Sequence, residues 1–352
     1  MPSGLNSGMM YVPFLKAKQG ELAALKNLAA HQVHNMCPLI EVHDINPVKN
    51  QASLSKFAKN ISQSWPYGSS LYVDGAIVGS YQNPLFSTSP SHALFAELKQ
   101  FNLSIIPVTD PYRSIHYQAA VNFALTTFGA GLCIRILKEW FSNGAQLAND
   151  INAFLSSGSL PCESVDLVVD LGDIPQAPAH LYIPWIIGEL NRLQGLGPWR
   201  KIILAGTSFP QVIQGNPQTI LAFPRIEWAL WVHVLQSGQI RVVPHFGDYT
   251  CHSAAHLAPA PYMSPSPKIR YATADRWLVV KGQSVKQAGA SQYYSLAQVM
   301  VSRPEFCGAH FSFGDNYIAQ RGSAGSHVST GYFTQWLTAD INHHLVYVTQ
   351  QM

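Results

Sequence analysis

Short runs of apolar and β-branched residues alternate along the chain with longer amphipathic stretches, through eight rounds. The runs predict strands at Tyr11–Lys16, Cys37–His43, Ser69–Asp74, Leu103–Thr109, Gly131–Leu137, Val165–Leu171, Lys201–Gly206 and Ile240–His245. Each is nearly continuous in apolar character, as strands are when both faces of a parallel sheet are covered. The stretches between them predict helices. Gly20–His31 spaces Leu22, Leu25 and Leu28 along one face, and Ala52–Trp65, Ser91–Phe101, Tyr112–Phe128, Ala145–Leu155, His180–Leu193 and Pro224–Gln236 follow in turn. Eight strand–helix units close naturally into a (β/α)8 TIM-type barrel. An open doubly wound sheet would carry a Gly-rich phosphate turn after its first strand, and Lys16-Ala17-Lys18-Gln19-Gly20 is not one.

After the eighth strand the rhythm breaks. Residues 252–267 are rich in Pro, Ala and Ser and read as a long loop, Lys268–Tyr271 and Arg276–Lys281 as a β-hairpin, and Ser291–Val301 as a helix able to serve as the eighth of the barrel. Gly331–His343 reads as a final helix ended by His343 and His344, of which at most one is expected to point inward. The expectation is one domain over residues 1–352, with residues 250–352 an elaboration lying over the barrel mouth.

Barrels of this kind work at the C-terminal ends of their strands. Here those ends carry ionisable groups although the chain holds only 19 acids. Glu41, Asp74, Asp110, Asp170 and Asp248 are the expected catalytic set, as acid/base groups or ligands of a metal such as Mg²⁺ or Mn²⁺. Lys16, Lys18, His43, Arg135, Ser208, His245 and Tyr249 are the expected substrate-binding set, with Lys16 and Arg135 holding a small anionic ligand. A strand-end Asp can equally cap the next helix or pair with an Arg across the mouth. No zinc-protease helix motif and no nucleophile elbow is present, and Gly206-Thr207-Ser208-Phe209-Pro210 reads as a turn.

Composition narrows the classes further. Net charge is +3 with no basic stripe, which argues against a nucleic-acid partner. Charged residues make up 12% of the chain, against about a quarter in an average domain, so part of the surface is expected to meet other subunits. The five cysteines form no C-x-x-C pair, and with no signal-peptide core and no membrane span the expectation is a cytoplasmic protein with reduced thiols.

Several segments carry a resemblance. Tyr11-Val12-Pro13-Phe14-Leu15-Lys16, Gly20-Glu21-Leu22 with Ala24-Leu25, Pro38-Leu39-Ile40-Glu41-Val42 and Leu204 to Pro210 are four of them. Phe246-Gly247-Asp248-Tyr249, Ile269-Arg270-Tyr271 and Asn342-His343-His344 are the others. Together they resemble the phage and bacterial Beta protein family across nearly the whole chain. The tail departs from it, with Trp336-Leu337 where the family has Trp-Arg. The resemblance implies a role in phage–host conflict, places Lys16, Glu41 and Asp248 inside recognised motifs, and carries over no catalytic residue. The leading expectation is an enzyme hydrolysing a phosphodiester or phosphate of a nucleotide-like small molecule. The alternative is a non-catalytic ligand-sensing or scaffold subunit of an antiphage defence or phage assembly.

Overall fold

A computed structural model describes residues 8–42, 52–66, 68–76, 89–255, 265–324 and 328–352. Eight parallel strands close a barrel: β1 (Tyr11–Leu15), β2 (Leu39–Glu41), β3 (Ser70–Asp74), β4 (Ser104–Thr109), β5 (Leu132–Leu137), β6 (Val165–Asp173), β7 (Lys201–Thr207) and β9 (His245–Asp248). β9 closes the ring, with Phe246 opposite Tyr11 on one side and Leu204 on the other. The outer shell holds α1 (Gln19–Lys26), a short α2 (Ala30–Val33), α3 (Ala52–Ser64), α4 (Pro90–Lys99), α5 (Ile115–Phe128), α6 (Gly144–Ser157), α7 (Ile183–Gln194) and α8 (Ile226–Gln236). Alternation along each strand sends one set of side chains outward to these helices, such as Tyr11, Ile40, Val73 and Ile134. The other set, including Val12, Phe14, Leu39, Tyr72, Cys133 and Val168, fills the barrel interior.

Three features depart from the sequence-based expectation. Ile220–Pro224, where no strand was expected and Pro224 was to start a helix, is a strand (β8) that leaves the barrel and pairs antiparallel with β11 (Arg276–Lys281), which pairs in turn with β10 (Lys268–Ala272). Pro224 is tolerated because it ends an edge strand. The eighth barrel strand lies further along than Ile240–His245. The Gln194 side chain accepts from the N–H groups of Arg241 and Val242 and donates to the Val242 carbonyl, so that backbone needs no sheet partner. Val242 and Val243 stay exposed. His245 therefore begins its strand, at the end of the barrel opposite the mouth.

The eighth helix differs too. Gln292–Val301 (α10, after a short α9, Val285–Ala288) packs with α11 (Phe313–Ala324) against the hairpin, forming a separate core around Tyr271, Tyr293 and Trp336. The barrel wall is completed by α12 (Phe333–Gln351), which places Ile341, Leu345 and Val348 in the main core. α12 is tied to α1 by Thr338 Oγ1 donating to the Gly20 carbonyl (3.1 Å) and Asn342 Nδ2 donating to that of Ala24 (3.0 Å). It lies between barrel and satellite sheet, so both His343 and His344 are buried, against the expectation of one. The helix also runs past them to Gln351. Close approach of α11 to α12 depends on Gly314, where a Cβ would fall 2.1 Å from the Ala339 carbonyl oxygen. Gly314→Ala is expected to destabilise the protein by about 1–3 kcal/mol through overpacking, measured as a lowered urea midpoint.

Candidate functional site

The inward alternation that packs the barrel also builds its upper layer. Glu41 follows Leu39, Asp74 follows Tyr72, Arg135 follows Cys133 and Asp170 follows Val168, each two residues further toward the mouth. Arg135 stands at the centre. Its Nη1 donates to Glu41 Oε1 (2.8 Å) and Asp74 Oδ2 (3.0 Å). Its Nε and Nη2 donate to Asp170 Oδ2 (2.9 and 2.7 Å), and Nη2 also to the Tyr249 hydroxyl (2.8 Å). Tyr249 donates on to Asp170 (2.6 Å). The guanidinium lies over Phe14, 5.2 Å from the ring centre. Burial alone would lower the Arg135 pKa, but Tyr249, Asp170, Glu41 and Asp74 raise it well above its ordinary value, so it is always charged. Arg113, which the sequence reading did not single out, extends the network with one bond to Asp74 (3.3 Å) and one to Asp110. Burial pushes the Asp110 carboxyl up, with Arg113 opposing.

Glu41, Asp74, Asp110, Asp170, Arg135 and Tyr249 are thus brought together, but the acids converge on guanidinium groups. Among the described residues no three of His, Cys, Asp and Glu are grouped to hold a metal ion. The other expected residues lie elsewhere. Asp248 faces outward beneath α12, accepting from Tyr11 OH (2.6 Å) and His344 Nε2 (2.7 Å). Ser208 is bonded to Glu227 and accepts from the Ile226 N–H (2.9 Å), fixing the start of α8. His245 accepts from the Met10 N–H (3.1 Å) at the far end of the barrel. His43 lies outside the described residues.

Lys16 and Lys18 belong to a second feature, beside the Arg135 ring on the β1 side of the mouth. A cavity of about 190 Å³ is lined by Lys16, Lys18, Glu21, His252, Lys268 and Arg270, with Phe209 and Ile213 among its apolar walls. Its parts come from five places in the chain. Lys16 and Lys18 follow β1, Glu21 is in the first turn of α1, and Phe209 follows β7. His252 follows β9, and Lys268 and Arg270 are on β10. Lys16 Nζ donates to the carbonyls of Ser253, Ala254 and Ala255 (3.4, 3.4 and 3.0 Å), and Asp173 accepts from the Ala254 N–H (2.8 Å), so this loop is held from two sides. Arg270 pairs with the buried Asp340 (3.0 Å).

The electrostatics follow from that enclosure. Burial lowers the Lys268 ammonium to about 8, with Arg270 and Lys281 adding repulsion. Burial lowers His252 to about 3, assisted by Arg270, Lys16 and Lys18, so it is neutral. Burial raises Glu21 to about 7 against the opposing pull of Lys18 and Lys16. Glu21, Lys268 and Arg270 were not predicted. Two of them sit in the Gly20-Glu21-Leu22 and Ile269-Arg270-Tyr271 segments, so the resemblance was the signal that could have found them.

A family model described as Beta protein matches residues 11–350. No curated protein matches the chain. Among solved structures, a GH18 chitinase from Pseudoalteromonas aurantia aligns with a TM-score of 0.35 and 14% identity, over 55% of this chain and 93% of that one. A chitinase from Chromobacterium violaceum aligns with a TM-score of 0.31 and 10% identity, over 95% and 98%.

Proposed function

Because the chain belongs to the Beta protein family over residues 11–350, a span that takes in barrel, hairpin and closing helix together, we propose that the whole fold serves to bind a small phosphate-bearing anion in the Lys16–Lys268 cavity and to hydrolyse its phosphate ester. The observation that carries this reading is the convergence of Lys16, Lys18, Lys268 and Arg270 on one cavity beside a barrel mouth. Three carbonyls take the Lys16 ammonium and Asp340 takes Arg270 Nη1, but Lys18 and Lys268 share the same partly desolvated recess, and their charge is unfavourable there unless an anion completes it. The cavity is smaller than the roughly 300–1,000 Å³ of pockets that enclose a drug-sized molecule, so it suits an anionic headgroup.

For hydrolysis, the cations would hold the phosphoryl oxygens and neutralise charge at phosphorus. Glu21 would accept a proton from the attacking water as the P–O ester bond breaks, and pass it to the departing alkoxide. A carboxyl with a pKa near neutrality is suited to both halves of that task.

The test is calorimetric titration with inorganic phosphate, alongside turnover of p-nitrophenyl phosphate and bis(p-nitrophenyl) phosphate. Lys268→Ala is expected to weaken phosphate binding about tenfold, one charge-assisted hydrogen bond's worth. Wild-type affinity should also decline above pH 8 as Lys268 loses its proton. Affinity unchanged in Lys268→Ala would count against the cavity.

The engaged carboxylates of the Arg135 ring favour a second reading, a ligand-sensing or scaffold subunit of a defence or phage assembly. None of the expected acids at the barrel axis is left to act on a substrate without first releasing a guanidinium. Ile115, at the start of α5, and Leu181, just before α7, are also exposed, side chains of the kind that subunit contacts cover. Phosphate binding without turnover of either ester would select it.

A further inference from the structure

Resting on the phosphate-binding reading, we propose that Glu21 makes the cavity selective for an oxyanion that brings its own proton, hydrogenphosphate over sulfate. A site that needed only positive charge would be built from cations alone, and an ionised carboxylate in its wall would repel the anion it serves. Glu21 is nevertheless placed among Lys16, Lys18, Lys268 and Arg270 and is only 2% exposed. It cannot swing away. Its Oε2 accepts from the Lys18 N–H at 2.8 Å, and the helix that carries it is pinned to α12 through the Gly20 and Ala24 carbonyls.

An ionised carboxylate accepts hydrogen bonds and donates none. Hydrogenphosphate carries a P–OH that can donate to it while its other oxygens take N–H groups of Lys18, Lys268 and Arg270, the Lys16 ammonium being held by the loop carbonyls. Sulfate has the same shape and charge but no proton, so it meets Glu21 as acceptor against acceptor. Selectivity through a repulsive element against the wrong ligand is then built into the same wall that attracts the right one. Glu21 does cap the helix, but that role occupies Oε2 with the Lys18 N–H and does not account for a carboxylate in the wall of a cavity that Lys16, Lys18, Lys268 and Arg270 also line. Hydrogenphosphate is also what hydrolysis of a phosphate monoester releases, so the same contact would hold the product.

The experiment is calorimetric titration of the full-length protein with inorganic phosphate and with sulfate at pH 8, for the wild type and Glu21→Gln. The glutamine keeps an oxygen for the Lys18 N–H and offers an amide N–H to either anion. The expected result is a preference for phosphate of about tenfold or more in the wild type. In Glu21→Gln the preference should collapse toward unity as sulfate binding strengthens. Equal affinities in the wild type, or a preference that persists in Glu21→Gln, would overturn the inference and leave the anion site standing. If neither anion binds, the site reading falls and the inference with it.

Should Glu21→Gln not fold, sulfate binding to Lys268→Met at pH 6 and pH 8 decides. Sulfate carries the same charge at both pH values, and this variant removes the Lys268 ammonium, which would otherwise lose its proton near pH 8. Below about pH 7 the Glu21 carboxyl is protonated and can donate to sulfate, so sulfate should bind more tightly at pH 6. The titratable groups that line the cavity with Glu21 are Lys16, Lys18, Cys251, His252, Lys268 and Arg270, with Asp340 behind Arg270. A sulfate affinity no higher at pH 6 than at pH 8 would overturn the inference.

Discussion

Replacing Arg135 with methionine is expected to destabilise the protein by about 3–5 kcal/mol, the range seen when one partner of a buried ion pair is removed. Methionine fills the space over Phe14 without offering a donor. Glu41, Asp74 and Asp170 would lose their guanidinium bonds while remaining inside the mouth. Buried carboxylates deprived of a cation bind protons more readily folded than unfolded, so the variant should gain stability as pH falls and lose it as pH rises. The wild type keeps these acids paired, and the stability difference between the two should therefore shrink from pH 8 toward pH 5. Arg135→Lys should fall between them, since one ammonium cannot reach Glu41, Asp74, Asp170 and Tyr249 together. Urea titrations across that pH range measure all three proteins, and a pH-independent difference would mean that the ring is held by packing.

His344→Ala should have an effect of similar size, about 3–5 kcal/mol, at the other side of the barrel wall. The imidazole is buried, lies 4.6 Å from the Trp277 ring centre, and donates Nε2–H to Asp248. Burial keeps it neutral, against the attraction of Asp248. Burial alone would raise the Asp248 pKa, but the His344 and Tyr11 contacts overcome it and hold the carboxyl low. Both shifts have the same sign in their effect on stability. A histidine held neutral contributes stability above its unfolded pKa of about 6.5 and loses it as pH falls, and a carboxylate with a depressed pKa likewise loses its contribution in acid. The wild-type advantage over His344→Ala should therefore diminish below about pH 6.5. If it grows instead, the pair is charged in the native state.

How far the chain announced these features depends on how local their causes are. β1 through β7 were legible because a strand buried on both faces is a continuous apolar run. The members of the Arg135 ring were legible as ionisable residues at the mouth ends of those strands, while their pairing with one another was not. Arg113 was missed because it is four residues past its strand end, in a turn made by the Tyr112 N–H donating to Asp110. The last strand was misplaced because Ile240, Val242 and Val243 have β-branched character, while the bonds that settle their backbone come from Gln194, 48 residues away in the case of Val242. The cationic cavity was out of reach for the same reason. Lys16 and Lys268 become neighbours only when a hairpin that is not part of the barrel folds against its rim.

The tie between α1 and α12 spans 318 residues in each of its two hydrogen bonds. During synthesis the first helix of the barrel must wait on the ribosome until nearly everything after it has emerged. At about 5–20 residues per second that delay is roughly 16–60 s. Contacts so distant in sequence also slow folding through the entropy of closing the intervening chain. The flank of β1 that α12 later covers is an uncovered apolar seam throughout, so the nascent barrel is a natural client for a chaperone, and loss of α12 would leave that seam permanently open.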